Sequence, residues 1–314
     1  MSPAEITFDS AGVACSGWHF PAAGDRLAGP AGRPAVVMAH GFGGTKDSGL
    51  APFAERFAAA GADVLAFDFR GFGASHGQPR QSISIKRQIH DYQAAVAAAQ
   101  RLTGVDPDRI VLWGPSLSGG HVLHVAADRD DVAAVIAMTP LTNGLAVGRA
   151  AVVHSDLPAA LRWTLTGVKS RVAVAAGRGA TLMPLVGRPG EPGALALDGA
   201  YESYLGIAGP TWRNEVDCAV GLEVGRIRAN PSAKRLRCPV LVQVADFDRY
   251  VPASSVVKTA VHARAQVRHY PCDHFDVWPG HPWFERVVEH QVTFLARLFG
   301  RSVARADAKA PEIG

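Results

Sequence analysis

The sequence predicts an α/β fold: a mostly parallel central sheet, helices on both faces, and an inserted cap. Three observations carry this. Short apolar runs alternate with segments of helical spacing from Pro34 to Met138. The same alternation resumes at Pro239. Residues 143–232 break it with scattered Gly and Pro and several aromatics. Apolar strands that alternate with helices are buried on both faces, which is the signature of a parallel sheet. An insertion at the carboxyl edge of such a sheet sits over the ligand crevice, so the break reads as a lid.

The elements follow in order. Residues 5–20 read as one or two short strands, and Gly24 to Arg33 as a Gly/Pro-rich turn. Pro34–His40 is a strand stopped by the glycine-rich GFGGTKD. Leu50–Ala60 has helical character, with Phe53 and Phe57 four apart on one face. A strand over Ala62–Phe69 ends near Asp68 and leads into the loop RGFGASHG. Gln88–Thr103 reads as a long helix closed by Gly104, Val105–Arg109 as a turn, and Ile110–Trp113 as a strand. A helix is expected after Ser118, then a strand over Val132–Met138. After the break come a strand at Pro239–Asp246, a helix near Pro252–Ala263, the short strand VRHY and a terminal helix at Trp283–Leu298. The core is therefore assigned to residues 1–142 and 233–300, the cap to 143–232, and a frayed tail to 301–314.

Composition narrows the function classes. The chain has 314 residues, of which 48% are hydrophobic, enough for one large domain with an insertion. Its 32 basic and 28 acidic residues are dispersed, which gives no basic stripe for a nucleic-acid partner. No run of 18 apolar residues predicts membrane insertion. The start, MSPAEITFDSAG, lacks a signal-peptide pattern, and Cys15, Cys218, Cys238 and Cys272 form no close pair. Free thiols in a cytoplasmic protein are the expectation. No short-spaced metal-ligand set is present, and neither a metal nor an organic cofactor is called for.

The chemistry concentrates in RIVLWGPSLSGGHV, Arg109 to Val122. A strand that drives through glycine into a sharp turn and a helix pushes one hydroxyl out at the top of a sheet. Ser116 holds that place, with Gly114 two residues before it; Ser118 is the alternative and stands where the usual pattern has glycine. Serine needs a base to become a useful nucleophile. His274, in YPCDHFDVWPG after the last short strand, is best placed; His269 and His281 rank lower, and His40, His76 and His121 have packing roles. A carboxylate must then fix the imidazole tautomer. Asp248, deeper in the loop after PVLVQV, is favoured over Asp246. The order Ser116, Asp248, His274 is the one such a sheet carries. Backbone N–H groups of Leu117 and Phe42 are the expected donors to a developing oxyanion.

These segments resemble the α/β-hydrolase superfamily from about Pro34 to Leu298. HGFGGTKD looks like its oxyanion loop, GPSLSGG its nucleophile elbow, VADFDRYVP its acid loop and DHFDVW its histidine loop. GWHFP, QIHDYQAAVAAA, VDPDRIVLWG and SGGHV resemble, more narrowly, bacterial capped hydrolases related to dienelactone-hydrolase-like and S15-type peptidase-like proteins. The expected activity is hydrolysis of a carboxylic ester or thioester through an acyl-enzyme. Amide hydrolysis, acyl transfer and a non-catalytic binding protein on the same fold are the rivals. The expected partner is a small ester or acyl compound. Trp163, Tyr201, Tyr204, Trp212 and Trp278 are the candidate substrate-binding aromatics, with Leu141 and Leu145 near the entrance. An apolar cap surface could support a homodimer.

Overall fold

The computed structural model describes residues 3–153 and 157–300, so the tail expected at 301–314 lies outside the described residues. Two strands, β1 (Ala4–Ser10) and β2 (Val13–Phe20), form a hairpin at one edge of the sheet. Next come β3 (Arg33–Ala39), helix α1 (Ala51–Ala60), β4 (Asp63–Phe67), α2 (Ile85–Ala99), β5 (Val105–Pro115), α3 (Ser116–Val125) and β6 (Val132–Met138). Between β6 and β9 (Val240–Ala245) lie α4 (Gly144–Val153), α5 (Leu157–Ala175), α6 (Ala200–Ile207), α7 (Val220–Val224) and α8 (Asn230–Ala233). A two-stranded ribbon of β7 (Leu182–Met183) and β8 (Val216–Asp217) accompanies them. The chain closes with α9 (Ala253–His262), β10 (Gln266–Tyr270) and α10 (Phe284–Phe299).

The main sheet runs β1-β2-β4-β3-β5-β6-β9-β10. β2 is antiparallel to β1 and β4, and the remaining neighbours are parallel. From β3 the chain moves outward to β4, then crosses back to place β5 on the other side. This reversal opens a crevice at the carboxyl ends of β3 and β5, where open α/β sheets bind ligands. The residues after β3 and after β5 thus face each other because of topology.

The centre of the sheet is buried on both faces: β4, β6 and β9 hold no exposed position. Trp113 on β5 packs against Phe53 of α1, which also meets Phe284 of α10 edge-on. Trp113 Nε1 donates to Gln291 Oε1 at 3.0 Å, Gln291 Nε2 to Gln243 Oε1, and Gln243 Nε2 to the Tyr270 hydroxyl. This relay satisfies polar groups that burial would otherwise penalise, and ties β5, β9 and β10 to α10. The inserted helices are anchored to the core by charge. Glu223 of α7 accepts from the Ile85 N–H at the start of α2, a helix end that favours an anion.

Some boundaries differ from expectation. Val105–Arg109, expected as a turn, is the first half of β5. It pairs with β3 only at Val105↔Arg33, where a register shift follows, and with β6 only from Ile110. α2 begins at Ile85, before the expected Gln88, and ends at Ala99. α3 begins at Ser116 itself rather than after Ser118. No helix among the described residues is long and apolar enough to cross a membrane.

Candidate active site

Ser116 follows β5 directly and has φ +50, a left-handed conformation that a non-glycine residue adopts only when its surroundings enforce it. What enforces it is close packing. A Cβ on Gly114 would lie 2.5 Å from the Ser118 carbonyl oxygen, and one on Gly120 would lie 2.3 Å from the Leu141 carbonyl oxygen. Helix α3 can therefore press against β5 and the end of β6 only with glycine at those places. The Ser116 carbonyl accepts from the Leu141 N–H at 2.8 Å. Ser116 is only partly buried, whereas Ser118 is wholly buried.

The Ser118 hydroxyl points away from the crevice. It donates to the Ala39 carbonyl at 2.9 Å and lies 3.1 Å from the Pro115 carbonyl. Ala39 ends β3, just before the His40–Gly44 turn, so the serine at this departure from the usual pattern stitches the two loops together. Beside it the Tyr92 hydroxyl donates to the Trp113 carbonyl and accepts from the Ala39 N–H.

His274 lies after β10 and Asp248 after β9, on adjacent strands. His274 Nδ1 is 2.6 Å from Asp248 Oδ2, with the two side chains 7% and 3% exposed. The other carboxylate oxygen accepts from the N–H groups of Tyr250 and Val251, each at 2.8 Å. Burial pushes the His274 imidazole down, but the charge and hydrogen bond of Asp248, with the charge of Asp273, outweigh it and leave the pKa raised above 6.5. Asp246 is turned elsewhere, pairing with the exposed His269 at 2.7 Å.

Ser116 and His274 open together into a cavity of about 790 Å³ beneath the inserted segment. Its walls are apolar and rich in small residues: Leu141, Leu145, Val147, Gly167, Met183, Leu195 and Val220 among them. Trp163 lines it as well, and so does Phe42. Leu117 is the second residue of α3, and its N–H has no acceptor one turn earlier within the helix. The Phe42 carbonyl accepts from the Tyr204 hydroxyl of α6. His40 Nδ1 lies 3.0 Å from the Gly41 carbonyl, the oxygen that shares a peptide plane with the Phe42 N–H.

The aromatic candidates divide. Tyr204 and Trp278 line a second, smaller cavity that also touches Ser116 and His274. Trp212 stacks on Tyr204 at 5.3 Å between ring centroids and lines neither cavity. Tyr201 also lines neither, its ring lying under the Arg188 guanidinium at 4.2 Å.

Two features escaped the sequence reading. Tyr250 lines the large cavity with its ring edge-on to His274 at 5.6 Å, and its buried hydroxyl has no hydrogen-bond partner among the described residues. Proximity to Asp248 is the only signal that could have found it. Lys46 is buried: its Nζ lies 3.0 Å from Asp68 Oδ2, and its N–H donates to Asp68 Oδ1 at 2.6 Å. That pair fastens the loop after β3 to the loop after β4.

Residues 34–164 match the model of a family described as alpha/beta hydrolase fold. The chain is 36% identical over 301 residues to the quorum-quenching protein AidA of Acinetobacter baumannii, covering 95% of this chain and 96% of that protein. It is 36% identical over 162 residues to the thiohydrolase aneE of Aspergillus aculeatus, which is 52% of this chain and 50% of that protein. Among solved structures, the alpha/beta hydrolase GrgF from Penicillium sp. sh18 superimposes with a TM-score of 0.77 at 24% identity, covering 95% of this chain and 99% of that one. The strand order, the glycine-packed turn at Ser116 and a near full-length relative agree: the chain belongs to the α/β-hydrolase family.

Proposed function

We propose that the protein is a serine hydrolase that cleaves a carboxylic ester or thioester through an acyl-enzyme. One observation carries this reading: the Ser116 hydroxyl, on a strained turn, shares an apolar cavity with a buried histidine already paired to a buried aspartate. With Asp248 holding the Nδ1 proton, His274 keeps Nε2 as the base that takes the Ser116 proton as Oγ attacks the carbonyl. The N–H groups of Leu117 and Phe42 receive the developing oxyanion. His274 then protonates the leaving group and activates the nucleophile that releases the acyl group. This chemistry calls for no metal or organic cofactor.

The large cavity fits the acyl portion of the substrate. Its volume of about 790 Å³ and its scarcity of polar groups suit an aliphatic or mixed acyl chain. Trp163, Leu141 and Leu145 are the side chains we assign to reading that chain, with Tyr250 in the same wall. Tyr204 and Trp278 act on the other side of the reacting carbon. We place the cap at residues 143–232. The segments GWHFP, QIHDY and VDPDRIVLWG support a position among the bacterial capped hydrolases resembling dienelactone-hydrolase-like and S15-type proteins. Four cysteines without a disulfide support a reducing, cytoplasmic setting.

The name of the partial relative aneE, a thiohydrolase, supports including thioesters. Matched panels of p-nitrophenyl esters, acyl thioesters and anilides test the reading. Ser116-dependent turnover of esters or thioesters well above anilides is the expected result. Anilides turned over best, or ester turnover retained in Ser116→Ala, would contradict it.

A further inference from the structure

The pairing of β9 with β10 continues past Ala245↔Tyr270. The Asp246 N–H donates to the Tyr270 carbonyl at 2.9 Å, and the Phe247 N–H to the Cys272 carbonyl at 3.0 Å. Two residues on, a side chain takes the place of a carbonyl. The Arg249 N–H donates to Asp273 Oδ1 at 3.0 Å, and the same oxygen accepts from the His274 N–H at 2.7 Å. Asp273 Oδ2 accepts from Arg249 Nε at 2.5 Å. Arg249 Nη2 carries the tie into the inserted segment, donating to the Asp198 carbonyl at 3.0 Å.

Two carboxylates thus grip one turn. Asp273 takes the N–H of Arg249, and Asp248 takes those of Tyr250 and Val251. Each carboxylate also reaches His274, Asp248 at the ring nitrogen Nδ1 and Asp273 at the backbone N–H. A ring tied at one point swings when its backbone shifts. A second tie, from the same turn to the main chain, removes that freedom.

Building on the acyl-enzyme chemistry proposed above, we infer that Asp273 is a positioning residue: it fixes the His274 main chain against the Asp248 turn, so that the imidazole held by Asp248 presents Nε2 to Ser116. Asp273 lines neither cavity, so it acts through His274 and not on the substrate. The Asp273 and Arg249 side chains are 21% and 48% exposed, and ion pairs this open to water add little to folding. Loss of the carboxylate should therefore show in turnover more than in stability.

The carboxylate also acts by charge. Burial lowers the His274 pKa, and the charge and hydrogen bond of Asp248, with the charge of Asp273, raise it. Of the other titratable groups nearby, Asp276 accepts from the Asp273 N–H, and burial keeps Tyr204 and Tyr250 protonated and lowers the His40 pKa. Arg149 is the charge that the inserted segment adds to the wall of the large cavity.

The test uses the full chain with p-nitrophenyl butyrate, and circular dichroism to establish folding. It reads kcat, KM and the pH profile of kcat/KM for Asp273→Ala and Asp273→Asn. Alanine removes both ties, and because a base misplaced by about an ångström costs up to about a hundredfold, kcat should fall roughly tenfold to a hundredfold at unchanged KM. Asparagine keeps an oxygen that can accept from both N–H groups, and the Arg249 side chain can turn to water, so kcat should stay near native. Both variants lose the charge, so the inflection should move to lower pH in both. A role in folding alone would lower the unfolding temperature and leave the kcat and the inflection of the folded protein in place. A folded Asp273→Ala protein with native kcat, or one whose loss lies in KM, overturns the inference while Ser116-dependent turnover stands. Where alanine does not fold, asparagine decides, and an inflection at the native pH overturns the inference. Absence of Ser116-dependent turnover in the native protein overturns the acyl-enzyme reading and this inference with it.

Discussion

Replacing Asp248 by Asn should reverse the histidine tautomer, and the structure says why. Asp248 Oδ1 is gripped by the N–H groups of Tyr250 and Val251, both at 2.8 Å. An asparagine must keep its carbonyl oxygen on those two donors, because its amide nitrogen cannot accept from them. The NH₂ group then faces His274 Nδ1, where the carboxylate now sits at 2.6 Å. A donor there forces the ring proton onto Nε2, the atom that has to accept from Ser116. The imidazolium of the transition state also loses its buried counter-charge. Such a reversal lowers turnover by about 10⁴-fold, or about 5 kcal/mol of transition-state stabilisation.

The pH profile supplies a second readout. His274 acts as a base only when neutral, so kcat/KM should rise with pH through its pKa. Burial lowers that pKa, but Asp248 and then Asp273 raise it above 6.5 in the native protein. Without the Asp248 charge, burial is opposed by Asp273 alone, and the inflection should move to lower pH. The loss of activity should thus be largest on the alkaline plateau. Ester turnover against pH for both proteins, with circular dichroism to establish folding, measures both effects. A folded Asp248→Asn protein that loses less than about tenfold, or whose inflection stays in place, would refute the assignment.

Other outcomes follow from neighbouring contacts. Ser118→Ala should keep its reaction with ester substrates but unfold roughly 2–4 °C lower, the loss of about 1 kcal/mol of hydrogen bonding to the Ala39 carbonyl; an inactive, folded Ser118→Ala would move the nucleophile. Lys46→Met leaves the wholly buried Asp68 carboxylate without its cation and should cost about 3–5 kcal/mol in urea unfolding, whereas a cost below about 1 kcal/mol would show that its N–H donors suffice. Across a series of straight-chain p-nitrophenyl esters, each added methylene should raise kcat/KM about fourfold, the equivalent of about 0.8 kcal/mol, until the large cavity is filled. No dependence on chain length would remove the acyl group from that cavity.

The parts of this architecture legible in sequence are those where local pattern and topology coincide. Ser116 and Asp248 follow strands with apolar runs, His274 follows the short strand VRHY, and strands in a parallel sheet end on the same edge. Their neighbourhood could therefore be anticipated before any contact was known. Other features depend on partners distant in the chain. Lys46 looks like a solvated loop charge until Asp68, 22 residues on, is folded over it. Tyr201 and Tyr204 sit three apart on α6, yet one meets Arg188 near the surface and the other reaches the Phe42 carbonyl. Nothing in that spacing distinguishes them. The hydroxyl of Ser118 is likewise silent in sequence, because its acceptor, Ala39, belongs to a strand 79 residues earlier. In the inserted segment the sheet rhythm is absent, so helices such as the 19-residue α5 left only a weak trace.

The central claim is that Ser116 is a nucleophile activated by His274. Labelling the native protein with a fluorophosphonate and mapping the modified peptide tests it most directly. A single adduct on Ser116 that disappears in a folded His274→Ala variant is the expected result. An adduct on Ser118, or labelling of Ser116 undiminished without His274, would contradict it.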